Sequence, residues 1–115
     1  MNQTVYSYAD LPKLQVPGDL FDVRFIHTQN ISVAFNKLKK GAEVPMHTHA
    51  HETIDYVIDG KLEIVIGGEL SIMTAGSVAH VESHVPHAAT ALTDCTVINI
   101  FYPVRDDFRV STETV

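Results

Sequence analysis

The stretch GAEVPMHTHAHETIDYVIDG, running from Gly41 to Gly60, decides how this chain is read. It begins and ends on glycine, sets histidines at positions 47, 49 and 51, and continues into the alternating run TIDYVI. Both VPMHTHAHE and TIDYVI read as strands, punctuated by the flanking glycines. Asp59-Gly60, between IDYVI and KLEIVI, is the dipeptide that type I′ hairpin turns prefer, because both central residues take positive φ.

The same grammar extends outward. Gly67-Gly68 is a second two-residue turn leading into ELSIMT, Ala75-Gly76 turns into SVAHVE, and Pro86 interrupts before HAATAL and CTVINIFYP. Upstream, LFDVRFIHT and ISVAFNKLK are divided by Gln29-Asn30. Roughly nine to ten short strands at intervals of about 8–12 residues, with no helix expected, predict an antiparallel sandwich or barrel. Residues 1–19, with Pro12, Pro17 and Gly18, read as an N-terminal arm or short lead-in strand. Residues 20–110 read as the barrel and 111–115 as a C-terminal tail, the end of the polar run DDFRVSTETV. No repeat or linker divides the 115 residues, so one domain is expected.

Composition narrows the function. The chain is 45% hydrophobic and 19% charged, within the globular range. A net charge of −6 offers phosphate backbones little, so no nucleic-acid partner is expected. Lys37, Lys39 and Lys40 read as a solvated strand end. No apolar run approaches the roughly 20 residues of a spanning helix, so no membrane role is expected. The start MNQTVYSYADLPK lacks the basic and apolar regions of a signal peptide, which makes the cytoplasm the expected location. The single cysteine, Cys95, reads as a small core residue.

Six of the seven histidines fall between positions 47 and 87. Residues i and i+2 of a strand share a face, so His47 and His49 project together. With His87, which follows the strand marked by Gly76, they form a candidate metal site. Three imidazoles suit Zn, Ni, Fe, Mn or Cu, and the sequence does not choose among these divalent ions. Asp55 shares the parity of the strand's inward face, whereas Glu52 has the opposite parity. His51 and His84 read as loop residues near the mouth of the pocket. On the last strand, Asn99, Phe101, Pro103 and Arg105 share one face by parity.

Gly41, five residues, His47-Thr48-His49 and then Gly60 resemble the first cupin motif; Gly76 followed eleven residues later by His87, with Pro86 before it, resembles the second. The resemblance covers about residues 30 to 108. It implies an all-β fold, the cupin double-stranded β-helix or jelly-roll barrel. VPHAATAL and the C-terminal stretch are similar to the small cupins of pectin and uronate degradation, which open 4,5-unsaturated uronate rings. That resemblance implies a metal that holds the sugar, with Phe101 and Arg105 completing the site. Two positions depart from it. Thr53 stands where a fourth metal ligand is usual, and Asn99 stands where an Asp is usual, so Asp55, a metal-bound water or His84 would have to move protons.

Three functions compete on these residues. The first is a metal-dependent isomerase on unsaturated uronates, with Asp55, Asn99, Phe101 and Arg105 at its site. The second is a metal-dependent cupin oxygenase. The third is a non-catalytic module binding a small ligand such as a sugar acid. Apolar strand faces left uncovered by so small a barrel predict a homodimer.

Overall fold

A computed structural model describes residues 4–112. Nine strands follow one another: β1 (Phe21–His27), β2 (Ser32–Leu38), β3 (Glu43–His47), β4 (Glu52–Asp59), β5 (Leu62–Ile66), β6 (Glu69–Met73), β7 (Val78–Val81), β8 (His87–Ala91) and β9 (Cys95–Tyr102). They form two antiparallel sheets, one in the order β1-β2-β9-β4-β7 and the other β3-β8-β5-β6. This is the jelly-roll arrangement that the motifs imply.

Side chains alternate as the sequence predicts. In β4 the inward residues Thr53, Asp55 and Val57 are buried, while Glu52, Ile54, Tyr56 and Ile58 are exposed. Across the ladder Thr53 faces Phe101, Asp55 faces Asn99 and Val57 faces Val97. Closer to the closed end of the barrel, Leu38, Val57, Leu62, Ile64, Met73 and Val97 form the main apolar core. Cys95 is buried among them, its thiol directed at the carbonyl of Lys61.

The arm enters with a 3-10 turn at Tyr8–Asp10 and then runs beside β1. The Leu14 N–H donates to the Val23 carbonyl at 2.8 Å, and the Phe25 N–H to Pro12 at 3.0 Å. At the other end the structure differs from the expectation of a polar tail, because Asp106–Thr112 form a helix, α1. Seven residues are too few to be helical alone. The helix is held by packing, with the Phe108 ring 5.3 Å from that of Phe25, and it carries acids in its first turn and Arg109 in its last, as the helix dipole favours. Residues 113–115 of the expected tail lie outside the described residues. Among the described residues, no helix is long and apolar enough to cross a membrane.

Gly60 shows how tightly one turn is specified. Its φ is +91°, and a Cβ there would stand 2.1 Å from the carbonyl oxygen of Asp94 and 2.9 Å from the Cα of Cys95. Both obstacles are backbone and cannot swing aside. Gly60→Ala is therefore expected to cost about 2–4 kcal/mol, combining the strained backbone with the clash. Equilibrium urea unfolding measures it; a midpoint within error of the parent would contradict the geometry.

Candidate metal centre

The three histidines of the predicted site meet at one end of the barrel. His47 closes β3 and pairs in register with His87, the first residue of β8. His49 lies beyond the end of β3 rather than within a strand, so the simple alternation argument does not apply to it. Its position is fixed by two main-chain bonds instead: the His84 N–H donates to the His49 carbonyl at 2.8 Å, and the His49 ring donates to the His51 carbonyl at 3.0 Å. Ring centroids are 4.2 Å apart for His47 and His87, 4.7 Å for His49 and His87, and 5.4 Å for His47 and His49. One ring nitrogen from each lies within 4.8 Å of the other two.

The tautomers follow from the hydrogen bonds. Nδ1 of His47 lies 2.7 Å from the Pro45 carbonyl, Nδ1 of His49 faces that of His51, and Nδ1 of His87 lies 2.8 Å from that of Val85. A carbonyl can only accept, so each Nδ1 carries a proton, and in the neutral ring Nε2 is the nitrogen left with a lone pair. Such outer bonds orient metal-binding imidazoles. Burial, followed by the nearby Arg105 charge, lowers the His49 pKa to about 4; burial is also the main cause lowering His87. Neutral imidazole is the form that binds a metal. Thr53 adds a second sign of an intended occupant: its Oγ1 is buried on the same cavity wall without a protein partner. A buried hydroxyl is normally satisfied, so a polar atom of a bound species fits there. This donor set fits a divalent transition-metal ion.

The site opens into a cavity of about 460 Å³. Asp55, Asn99, Phe101 and Arg105 all line it with the three histidines. The parity argument that placed Arg105 on this wall needs correction. β9 ends at Tyr102, and Pro103, expected on the same face as Phe101, is exposed. Arg105 reaches the cavity by another route. The chain folds back so that its N–H donates to Ser32 Oγ at 2.8 Å and its guanidinium lies 4.9 Å from the Phe101 ring centre and 4.0 Å from that of Phe108. Its Nε and Nη2 donate to Asp107 at 3.1 and 2.9 Å, and this pairing holds the Asp107 pKa at about 2.

Asp55 sits one ladder position deeper than Thr53. Its Oδ1 accepts from Asn99 Nδ2 at 2.6 Å. Asn36, which the sequence reading did not single out, donates through Nδ2 to Asn99 Oδ1 at 2.7 Å and to the Val97 carbonyl at 3.0 Å. That bond to a carbonyl fixes the Asn36 amide orientation, which in turn makes Asn99 present its own NH₂ to Asp55. The available signal was a polar residue at an inward position of β2, among Ser32, Ala34 and Leu38. Glu52 is exposed and hydrogen-bonds His80, and His84 is an exposed loop residue with φ of 66°. His51 is half-buried, and burial lowers its pKa.

Burial raises the Asp55 pKa from 3.8 to about 6, against the opposing hydrogen bond from Asn99. A carboxyl whose native pKa is raised favours the folded state when protonated. That contribution is complete below about pH 4 and is lost as the pH rises through 6. In metal-free protein, Asp55→Asn is expected to be more favourable for stability at pH 8 than at pH 4, by at most about 3 kcal/mol. Urea unfolding at both pH values tests this, and equal effects would show that the carboxyl is not desolvated.

Comparison with known proteins agrees with this architecture. KdgF from Halomonas sp. superposes with a TM-score of 0.75 and 31% identity over 82% of this chain and 90% of its own. An RmlC-like cupin from Shewanella frigidimarina gives a TM-score of 0.81 and 26% identity over 92% of this chain and 96% of its own. Quercetin 2,3-dioxygenase of Bacillus subtilis is 39% identical over 73 residues, which are 62% of this chain but only 18% of that protein. The family model described as Cupin domain matches residues 34–101, well over half of the sequence and spanning all three histidines. The chain belongs to the cupin family.

Proposed function

We propose that this cupin is a metal-dependent enzyme that opens the ring of a small 4,5-unsaturated uronate. The observation that carries the reading is the convergence of His47, His49, His87, Arg105, Phe101 and Asp55 on one cavity. The histidines would hold the ion, whose chemistry when bound is Lewis-acid polarisation of a ligand oxygen. Arg105 binds the uronate carboxylate, for which its planar fork is suited. Phe101 forms an apolar wall for the ring. Asp55 handles the proton. In ring opening the anomeric hydroxyl loses a proton as the ring C–O bond breaks, and C4 gains one as the resulting enol becomes a ketone. One acid that returns what it takes is enough, and a carboxyl with a pKa near 6 is well matched to that task. Asn99 cannot supply the proton, but its NH₂ group holds Asp55 in place.

A second reading, a cupin oxygenase, is favoured by Thr53 and by the cavity's apolar lining. Thr53 leaves three imidazoles as the ligand set, while Leu14, Val16, Phe25 and Val97 offer an aromatic ligand more than they offer sugar hydroxyls. The similarity of one segment to quercetin 2,3-dioxygenase supports it.

We also assign the outer face of the larger sheet to a homodimer contact. Ile54, Tyr56 and Ile58 of β4, Val78 of β7, and Ile100 and Tyr102 of β9 are exposed. They adjoin one another, because Ile54 pairs with Ile100 and Tyr56 with Val78.

Purified protein is expected to retain about one divalent transition-metal ion per chain by elemental analysis, and His87→Ala to lose most of it. Metal-loaded protein should abolish the absorbance of the C4–C5 double bond of unsaturated galacturonate, and Arg105→Ala should raise KM at least tenfold. No loss of signal at high protein concentration, together with oxygen uptake on a phenol, would replace the first reading with the second. Light scattering should give the mass of two chains, falling to one in Tyr56→Glu/Ile100→Glu; a monomeric parent would remove the dimer assignment.

A further inference from the structure

We propose that the cavity holds a second, apolar subsite beside the metal centre, built for a hydrocarbon substituent of an oxygen-donor ligand. The pairing of the larger sheet puts the two kinds of lining on different strands. One rung of its inward face runs Asp55, Asn99, Ala34, Phe25 from β4 to β1. Along it a carboxyl gives way to an amide, then to a methyl group, then to an aromatic ring. The next inward rung ends at β1 on Val23, and the one beyond it on Phe21. β1 therefore offers the cavity only Phe21, Val23 and Phe25, none of which can hydrogen-bond through its side chain.

The N-terminal arm carries this apolar surface past the edge of the sheet. Lys13 bridges to Arg24 and the Leu14 N–H donates to the Val23 carbonyl, so the arm lies along β1 as an added strand. Its side chains alternate accordingly: Lys13 and Gln15 are exposed, while Leu14 and Val16 are half-buried and line the cavity. An apolar interior ordinarily packs shut, with few voids larger than a water molecule. Here the apolar side chains line a cavity of about 460 Å³ instead of filling it, a size found at small-molecule sites. The polar end shows the same need for an occupant, since Thr53 Oγ1 is buried there without a protein partner. A ligand that matches both ends has two natures: oxygen atoms towards the histidines and Thr53, and hydrocarbon over Ala34, Val23 and the arm. The inference goes beyond the ring-opening reading and rests on the metal centre, not on uronate as the substrate.

Hydroxamates of different length test it, because their two oxygens bind transition-metal ions whatever the acyl group. Calorimetry compares the binding of acetohydroxamate and hexanohydroxamate to the metal-loaded full-length chain. Each added methylene is expected to tighten binding about threefold, roughly fifty- to hundredfold over the whole extension. Ala34→Leu fills the subsite and Val16→Asp puts a charge on its wall, so each is expected to cut that ratio to below about fivefold. The ratio is taken within one protein, which separates loss of the subsite from a general weakening of the metal centre. Circular dichroism reports the fold of each variant, and Val16→Asp, on the arm, serves should Ala34→Leu overpack β2. Equal affinities for the two hydroxamates in the parent would remove the subsite and leave the metal centre in place. A length dependence that both variants retain would put the hydrocarbon elsewhere and also overturn the inference. If neither hydroxamate binds, the metal centre fails and the subsite fails with it.

Discussion

The pairing of β4 with β9 is the constraint on which the rest of this molecule depends. Both strands lie inside the larger sheet, and their register sets Thr53 opposite Phe101 and Asp55 opposite Asn99. Side chains alternate between faces, so a slip of one residue would exchange the whole inward set for the outward one. Ile54 and Tyr56 would then enter the cavity, and the polar ladder of Asp55, Asn99 and Asn36 would face water. The apolar residues below it, Val57 against Val97, resist that slip because they close the main core. Hydrophobic burial at one end of the barrel therefore holds the polar groups at the other.

Those polar groups are costly to bury, and the structure offsets the cost differently at each. Each of the three imidazoles gives its Nδ1 proton to a backbone carbonyl, and burial favours the neutral form of His49 and His87. Asp55 is held by an amide relay rather than a cation, so its carboxyl stays close to the point at which it can exchange a proton. Arg105 keeps its charge and is satisfied by Asp107 and two aromatic faces. Three chemical solutions thus coexist around one cavity, and each leaves its group available: a lone pair, an acid and a cation.

Much of this was legible from residue order because it depends on local rules. Glycine-marked turns delimit the strands, and parity predicts which face Thr53, Asp55 and Glu52 occupy. The two motifs point to His47, His49 and His87, and the strands that carry His47 and His87, β3 and β8, are neighbours in the smaller sheet. What was not legible depends on contacts distant in sequence. His49 leaves its strand and is positioned by the backbone of His84, 35 residues away. Asn36 acquires meaning only once β2 is placed beside β9. The helix α1 is not legible because seven largely polar residues carry too little periodicity, and what holds it, Phe108 on Phe25 and Arg109 on the Thr28 carbonyl, is distant in sequence.

That last point ties the C-terminal segment to the site. Arg105 is held at once by Ser32 from β2, Phe101 from β9 and Phe108 from α1. A helix of this length has no stability of its own, so its formation and the fixing of Arg105 are one event. The Phe108 ring serves both, touching the core through Phe25 and covering the guanidinium. Loosening the helix would release the cation from one aromatic face and open the cavity wall that Phe108 supplies. The metal-binding end of the barrel is built on strands that the core locks in register. The side of the cavity that carries Arg105 is built instead on a short segment, held to the barrel by Phe108 on Phe25 and by Arg109 on the Thr28 carbonyl.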